Sequence, residues 1–385
     1  MTGVSLLSLN MFLPALPEMA DAFAVEYDVM NLAIAGYLGV AALMQIFFGP
    51  LSDRFGRRPV LLAAMSIFMI ASVGGLLASN IWVFLVFRFL QSAVVGGMVI
   101  SRAIIRDIAT EENAASLLGY VAMVMALAPM LGPLLGGAMS DLFGWRSVYW
   151  FYTIIGAITL CLVWVDVGET NQSASKSMTS QFKTYPELFR SRRFWGYTGG
   201  LTFSVSAFYA FISGAPLVVA QNFTLSTSML GAGIGSISGG FMVGNFISGR
   251  YTRRVGLKSI MTIGRYFAVL GPLGALISSL LGFSSIYIYF GGVILVGLGN
   301  GLTLPGANAG VMSVRPNLAG SAAGISGAIT IAGGAILTWI AGKILVGDNS
   351  LILHLALISL CSFGGLLCFA YVNRIDRHEG LRKDA

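Results

Sequence analysis

Charge is what this chain has least of. Asp, Glu, Lys and Arg make up only 10% of its 385 residues, where a soluble globular domain carries roughly a quarter. A soluble fold is excluded on that ground alone. Histidine and cysteine are as scarce, with 2 and 3 copies. Cys161, Cys361 and Cys368 all fall in apolar runs, so no disulfide framework or metal site is expected, and Cys361 and Cys368 read as packing residues on one helix face. The apolar runs hold no constellation of His, Cys, Asp or Glu suited to metal or nucleophilic catalysis. The chain is therefore not read as an enzyme, and no cofactor is expected.

What remains is apolar: 56% hydrophobic residues and a mean hydropathy of +0.82. Such a composition defines an integral membrane protein, and its 49 glycines suit closely packed membrane helices. Apolar runs between charged breaks predict spans at 1–16, 29–50, 59–79, 81–105, 114–139, 147–165, 195–220, 229–250, 259–280, 285–310, 319–344 and 350–372. The expected class is an all-α membrane protein with twelve transmembrane helices. The first run is short for a span and no signal-peptide pattern precedes it, so the reading expects a trimmed chain or a start further upstream.

The net charge of +7 invites a nucleic-acid reading, but its placement argues against one. With twelve spans, every Lys and Arg except Arg146 and Lys343 on the opposite side, and Arg88 and Arg265 inside spans, falls on one face. Lys/Arg-rich short loops stay inside, so that face is expected to be cytoplasmic, as are both termini. The long polar segment from Asp166 to Arg193 reads as a linker, which divides the chain into a bundle at 1–165, a linker at 166–194, a second bundle at 195–372 and a tail at 373–385. Within the linker, Tyr185 to Phe194 is read as a short surface helix with Phe182, Leu188, Phe189 and Phe194 toward lipid, or as a plain solvated loop.

Between the second and third spans stands GPLSDRFGRRPV, Gly49 to Val60. Gly49 allows close helix approach, Gly56 suits a sharp turn, and Asp53 could accept from a helix N-terminus. With Arg54, Arg57 and Arg58 the string reads as a hinge or latch. A shift of 200 places Gly49 on Gly249, Arg54 on Arg254, Gly56 on Gly256 and Arg58 on Lys258, but Asp53 on Arg253. The halves are thus expected to be repeats, the second copy degenerate.

The fourth span puts Arg88, Gln91, Ser92, Val95, Val99, Arg102 and Arg106 on one helical face, which must look into protein or water. Arg88 reads either as a substrate or coupling residue or as an interhelical hydrogen-bond donor. Arg102 and Arg106 are expected to pair with Asp107, Glu111 and Glu112. The fifth span carries APMLGPLLGG, Ala128 to Gly137, where Pro129 and Pro133 remove hydrogen bonds and Gly132, Gly136 and Gly137 leave a flat surface. Its expected partner is the eighth span, with Gly231, Gly235 and Gly239. Thr202, Ser206, Tyr209 and Ser213, with Asn300 and Thr303, offer uncharged hydrogen-bonding groups suited to a cavity for amphipathic solutes. Arg265 is expected to snorkel to the near surface, and His354 to be a packing histidine unless it titrates.

The string from Gly49 to Val60 resembles the signature loop between the second and third helices of the major facilitator superfamily. RFLQSAVVGG, Arg88 to Gly97, resembles the fourth-helix motif of that family, whose arginine is linked to proton coupling. Gly119 with the segment at 128–137 resembles its antiporter motif, with Ala128 where glycine is usual. DLFGWR (Asp141 to Arg146) and FLPALPEMADAF (Phe12 to Phe23) extend the resemblance to Bcr/CflA-type drug:proton antiporters, over nearly the whole chain. The resemblance implies two pseudo-symmetric six-helix bundles of the major facilitator fold, with a small-molecule substrate held between them near the midplane. It also implies a monomer in the bilayer of a bacterial inner membrane. The expected cavity takes Asn10, Arg88, Gln91 and Ser92 from the first half and Thr202, Ser206, Tyr209, Asn300 and Thr303 from the second.

One departure bears on coupling. That group commonly carries an acid where this chain has Asn10, and none of the 16 Asp and Glu is expected at mid-membrane depth. Proton coupling must then use boundary acids such as Glu26 or Asp28, or the substrate's own ionisation. Two readings stand: a proton-coupled exporter of drugs, with anionic and zwitterionic solutes on equal footing with cations, or a metabolite carrier or uniporter without proton coupling.

Overall fold

A computed structural model describes residues 1–108, 111–171, 185–315, 318–347 and 349–378. Phe182 and the tail beyond 378 lie outside these residues, as do the surroundings of Gly119 and the side chains of Arg106, Glu111 and Glu112. The described regular structure is helical. In chain order it runs α1 (Thr2–Asn10), a 3-10 turn (Leu13–Ala15), α2 (Leu16–Ala22), α3 (Tyr27–Phe55), α4 (Arg57–Leu77), α5 (Ile81–Gln91), α6 (Val94–Ile108), α7 (Glu111–Phe143) and α8 (Arg146–Asp166). Then follow α9 (Tyr185–Phe189), α10 (Arg192–Asn222), α11 (Thr227–Val255), α12 (Leu257–Leu280), α13 (Ile286–Ser313), α14 (Ala319–Ile344) and α15 (Ser350–His378).

Among the described residues, eleven spans are long and apolar enough to cross a membrane, α5 and α6 counting as one. The remaining crossing is the broken segment at 2–22, longer than the expected run at 1–16. Pro14 and Pro17 explain the break, since neither has an N–H for the helical ladder and each ring displaces the carbonyl four residues back. The fourth span is interrupted as well. Ser92 Oγ donates to the Phe89 carbonyl at 2.7 Å, while Ser92 N and Ala93 N close back three residues instead of four. The tightened turn advances the phase of α6 relative to α5.

Two compact units result: Met1–Ser180 with Leu225–Gly235, and Gln181–Thr224 with Ser236–Ala385. In the first, α4 packs on α5 and α8, and α1 on α7. In the second, α12 packs on α13 and α15, and α10 on α14 and α15. Leu77, Leu142, Phe143 and Trp164 of the first unit, and Phe246 and Tyr287 of the second, stand exposed, as only a bilayer allows.

A single residue joins α3 to α4 and another joins α11 to α12. Gly56 has φ +96° and Gly256 φ +85°, left-handed conformations that glycine alone takes without strain. They are the pair that the 200-residue shift superposes, and each sits at the end of its own unit that bears Arg-rich segments, called here that unit's basic end.

Leu188 and Phe194 correct the reading of the linker. Both are fully buried, in a basic-end core with Tyr197, Leu201, Met261 and Val311. Phe189 stays exposed and stacks on Trp195 with ring centroids 5.6 Å apart. The segment is anchored by its apolar side chains to protein instead of lipid.

Candidate functional site

At the basic end, α4 begins directly after Gly56, so its first amides lack helical acceptors. Glu169, just past α8, supplies them: Arg57 N donates to Oε1 at 2.9 Å and Arg58 N to Oε2 at 3.2 Å. A Cβ at position 56 would collide with that carboxylate, a second reason for glycine there. Burial alone raises the Glu169 pKa, but the amides of Asn171, Arg57, Arg58 and Thr170 outweigh it and hold the carboxyl below its ordinary 4.5. Asp53, expected to cap a helix, instead forms an ion pair with the side chain of Arg57 one turn later. Arg57 also donates through Nε to Asp107 Oδ2 at 3.1 Å and through Nη1 to Ser52 Oγ at 2.7 Å. Asp107 is thereby taken by Arg57, and Arg102 donates instead to Met125 Sδ at 3.1 Å. Around this knot, Arg58 Nη2 donates to the Trp164 carbonyl at 2.8 Å, Arg54 lies over the Phe55 ring at 5.2 Å, and Ser52 Oγ donates to the Gly49 carbonyl at 2.9 Å.

Deeper in the first unit, Arg88 at the end of α5 has 0% exposure. Its Nε donates to the Ala33 carbonyl at 3.2 Å, Nη1 to Gln91 Oε1 at 2.7 Å and Ser8 Oγ at 3.4 Å, and Nη2 to the Ser8 carbonyl at 2.8 Å. The Ser8 carbonyl is available because α1 ends two residues later. The guanidinium carbon lies 4.0 Å from the Phe12 ring centroid and 4.4 Å from that of Tyr37, so the cation is sandwiched between π-faces. Gln91 passes the network on, donating to Ser72 Oγ at 2.9 Å. Among the described residues no carboxylate pairs with Arg88. Asn10 lies on the same short helix as Ser8, with Nδ2 on the Leu6 carbonyl at 2.7 Å and a buried Oδ1 that has no partner.

The glycine face of α7 has two partners where the glycine spacing predicts one. A Cβ on Gly136 would meet the Met11 carbonyl, and Gly132 lies beside Leu7 and Asn10. Gly137 packs on the backbone of Thr227 and Ser228, while Gly231 and Gly235 of α11 rest on the carbonyls of Pro133 and Met130. α7 runs unbroken through Pro129 and Pro133. Where this seam ends, Asp141 caps α11: Thr227 N donates to Oδ1 at 3.1 Å, Ser228 N to Oδ2 at 2.8 Å, and Ser228 Oγ also to Oδ2. Glu18 does the same for α8, accepting from Trp145 N at 3.2 Å and Ser140 Oγ at 2.6 Å.

The second unit holds a cation of its own. Arg265 does not snorkel; it has 0% exposure. Its Nε donates to Thr303 Oγ1 at 3.1 Å, Nη2 to Asn300 Oδ1 at 2.6 Å, and Nη1 to Ser204 Oγ. Asn300 Nδ2 closes the ring on the Ser204 carbonyl at 3.0 Å. Asn300 and Thr303 share one face of α13, a spacing that made them candidates, but neither they nor Ser204 was matched to Arg265 because the three partners are distant in sequence. Thr202 and Ser206 lie along α10 against Gly333 of α14, and Tyr209 against Gly334. The hydroxyl oxygens of Thr202 and Ser206 are buried and unpartnered. His354 is fully buried between the Tyr289 hydroxyl at 2.9 Å and the Ala210 carbonyl at 3.0 Å, and stacks on Phe211. A carbonyl only accepts, so Nε2 carries the proton and Nδ1 accepts from Tyr289.

Each unit therefore buries a guanidinium held by neutral oxygens and aromatic rings, in helices only a bilayer accommodates. Comparison with known proteins assigns the class: residues 1–338 match the Major Facilitator Superfamily, and the chain belongs to that family. It is thus a multi-pass membrane transporter and not an enzyme, with the fold of two helix bundles. The chain is 28% identical over 354 residues to an uncharacterized MFS-type transporter, YdgK, of Bacillus subtilis (strain 168), covering 87% of this chain and 85% of that one. It is 27% identical over 309 residues to the multidrug transporter MdfA of Yersinia pestis, covering 79% and 74% of the two chains. Among solved structures, a bacterial homolog of the human lysosomal transporter Spinster superposes with a TM-score of 0.76 at 15% identity, over 97% of this chain and 95% of that one.

Proposed function

We propose that the chain is a secondary exporter of amphipathic small molecules in a bacterial inner membrane, working by alternating access and coupled to protons. In this reading the basic end faces the cytoplasm, both termini lie inside, and the protein acts as a monomer. Residues 1–165 and 195–372 form the moving halves, joined by 166–194 and followed by the tail at 373–385. Asn10, Arg88, Gln91, Ser92, Thr202, Ser206, Tyr209, Asn300 and Thr303 supply the substrate-facing groups. The loop at Gly49, Asp53, Arg54, Gly56, Arg57 and Arg58 acts as the gate, and Gly119, Pro129, Gly132, Pro133, Gly136 and Gly137 form the antiporter-like seam.

The observation that carries the reading is Arg88, an ionisable group wholly inside a membrane bundle with neutral partners only. Such groups are expensive to bury and are kept where a pathway uses them. Positive potential without a fixed counter-charge favours anionic or zwitterionic solutes as much as cations. The similarity to a multidrug transporter supports export over uptake. In inverted membrane vesicles tested with a panel of drugs and metabolites, the expected result is flux that responds to an imposed pH gradient and collapses in Arg88→Ala. Flux confined to hydrophobic cations and unchanged in that variant overturns the reading.

Asn10 favours a second reading, an uncoupled carrier. Its side chain cannot carry a proton, and its buried oxygen has no partner. Full flux that ignores the pH gradient selects this alternative.

A further inference from the structure

In the second unit, α12 and α15 leave a groove at the basic end, with adjoining cavities of 330 and 540 Å³. One wall is Lys258, Ser259, Thr262 and Ile263, successive positions on one face of α12. The other is Ala370, Asn373, Arg374 and Arg377, spaced at i, i+3, i+4 and i+7 on α15. Along both walls the residues change in the same order. Cations and hydrogen-bonding groups stand nearest the helix ends, and Ile263 and Ala370 lie a turn or two deeper.

The groove carries excess positive charge. Asp376 forms ion pairs with both Lys258 Nζ and Arg193 Nε at 2.8 Å, so one buried carboxylate already serves two cations. Among the described residues, Arg374 and Arg377 are in no ion pair, and both are exposed. The corresponding groove of the first unit, between α4 and α8, has 340 Å³ and is lined by Leu62, Ser66, Met69, Ala157, Leu160, Cys161 and Trp164. Arg58, the counterpart of Lys258, stands over its Trp164 ring at 5.8 Å, but its α8 wall carries no cation where α15 carries Arg374 and Arg377.

We infer that the α12–α15 groove is a binding site for an anionic phospholipid of the leaflet at the basic end. The phosphate meets Lys258, Arg374 and Arg377, Ser259 and Asn373 complete its hydrogen bonds, and the acyl chains descend past Ile263 and Ala370. The chemistry is that of basic pockets between membrane helices, which select charged headgroups over zwitterionic ones. The site is independent of the transport reading and stands whichever solute is carried.

The test is thermal unfolding of the purified chain in detergent with added phosphatidylglycerol, phosphatidylcholine or soluble glycerophosphate. Phosphatidylglycerol is expected to raise the midpoint by about 2–4 °C, the other two to leave it in place. Arg374→Gln with Arg377→Gln abolishes the increment, Arg374→Lys with Arg377→Lys keeps most of it, and Arg253→Gln with Arg254→Gln, elsewhere at the basic end, keeps all of it. An equal shift with phosphatidylcholine, a shift reproduced by glycerophosphate, or an increment that survives the double Gln change overturns the inference. Should the Gln variant not fold, native mass spectrometry of the unmodified chain decides, since failure to retain phosphatidylglycerol over phosphatidylcholine also overturns it.

Discussion

Arg88 donates from Nη2 to the carbonyl oxygen of Ser8 at 2.8 Å, tying the end of α5 to the last turn of α1. Eighty residues of chain are closed by one guanidinium, and its other nitrogens reach Ala33 and Gln91. Truncation to alanine leaves the Gln91 oxygen without its donor and the ring faces of Phe12 and Tyr37 without their cation. Each polar group stranded in this way costs about 1–3 kcal/mol. Arg88→Ala is expected to lower the unfolding midpoint in detergent clearly, with Arg88→Lys between it and the native chain, because lysine restores charge without the planar fork. Midpoints that match the native chain in both variants would show that the tie is dispensable.

The α7–α11 seam makes a sharper stability prediction. In Gly231→Ala the new methyl meets the Pro133 carbonyl, which belongs to backbone and cannot move aside. Overpacking of this kind costs about 1–3 kcal/mol. Gly274→Ala on α12 places its methyl in open space. There the better helix propensity of alanine gives a gain of up to about 1 kcal/mol. Denaturation of the two variants side by side is expected to show opposite signs.

Glu169 predicts a dependence on pH. Its folded pKa lies below the ordinary 4.5. The stabilisation it contributes is therefore complete above that value and is lost as pH falls through the lower folded pKa. Glu169→Gln weakens the cap on α4, at a cost of about 1 kcal/mol typical of helix caps. The gap in stability between the native chain and this variant is expected to be constant above about pH 5 and to narrow in more acid solution. A gap that widens on acidification contradicts the assignment.

Asn10→Asp tests coupling directly. Asn10 stands on α1 beside Gly132, within the helix that also presents Ser8 to Arg88. An aspartate there introduces a titratable group into a segment that has none, two residues along the chain from Ser8, whose carbonyl receives the buried Arg88. Flux driven by a pH gradient is expected to rise severalfold over the native chain in vesicles. No change, with protein abundance equal, shows that a carboxylate at this place does not limit transport.

Much of the fold was legible because membrane spans are written in composition. The Gly56 and Gly256 hinges were readable too, since a turn of one residue between long helices admits little else. What escaped the reading depended on which distant segments meet. Arg265 was assigned to the surface because its depth can be counted but its partners Ser204, Asn300 and Thr303 cannot be inferred from spacing. Glu169 caps α4 from beyond α8, a pairing that no local spacing points to. Leu188 and Phe194 carried the pattern of a lipid-facing helix and found a protein surface first. The breaks at Pro14, Pro17 and Ser92 show local chemistry overriding an otherwise continuous apolar run.

The two buried arginines also set different demands on biosynthesis. Every group that receives Arg88, namely Ser8, Ala33 and the rings of Phe12 and Tyr37, is translated before it, and Gln91 follows within a single helical turn. Arg265 emerges with Ser204 already made, while Asn300 and Thr303 are still tens of residues away on the ribosome. The first cation can be sheltered as soon as it enters the bilayer, whereas the second waits for α13. The interval between those two translation events is where this polypeptide is most in need of an insertase to keep lipid away from a half-satisfied charge.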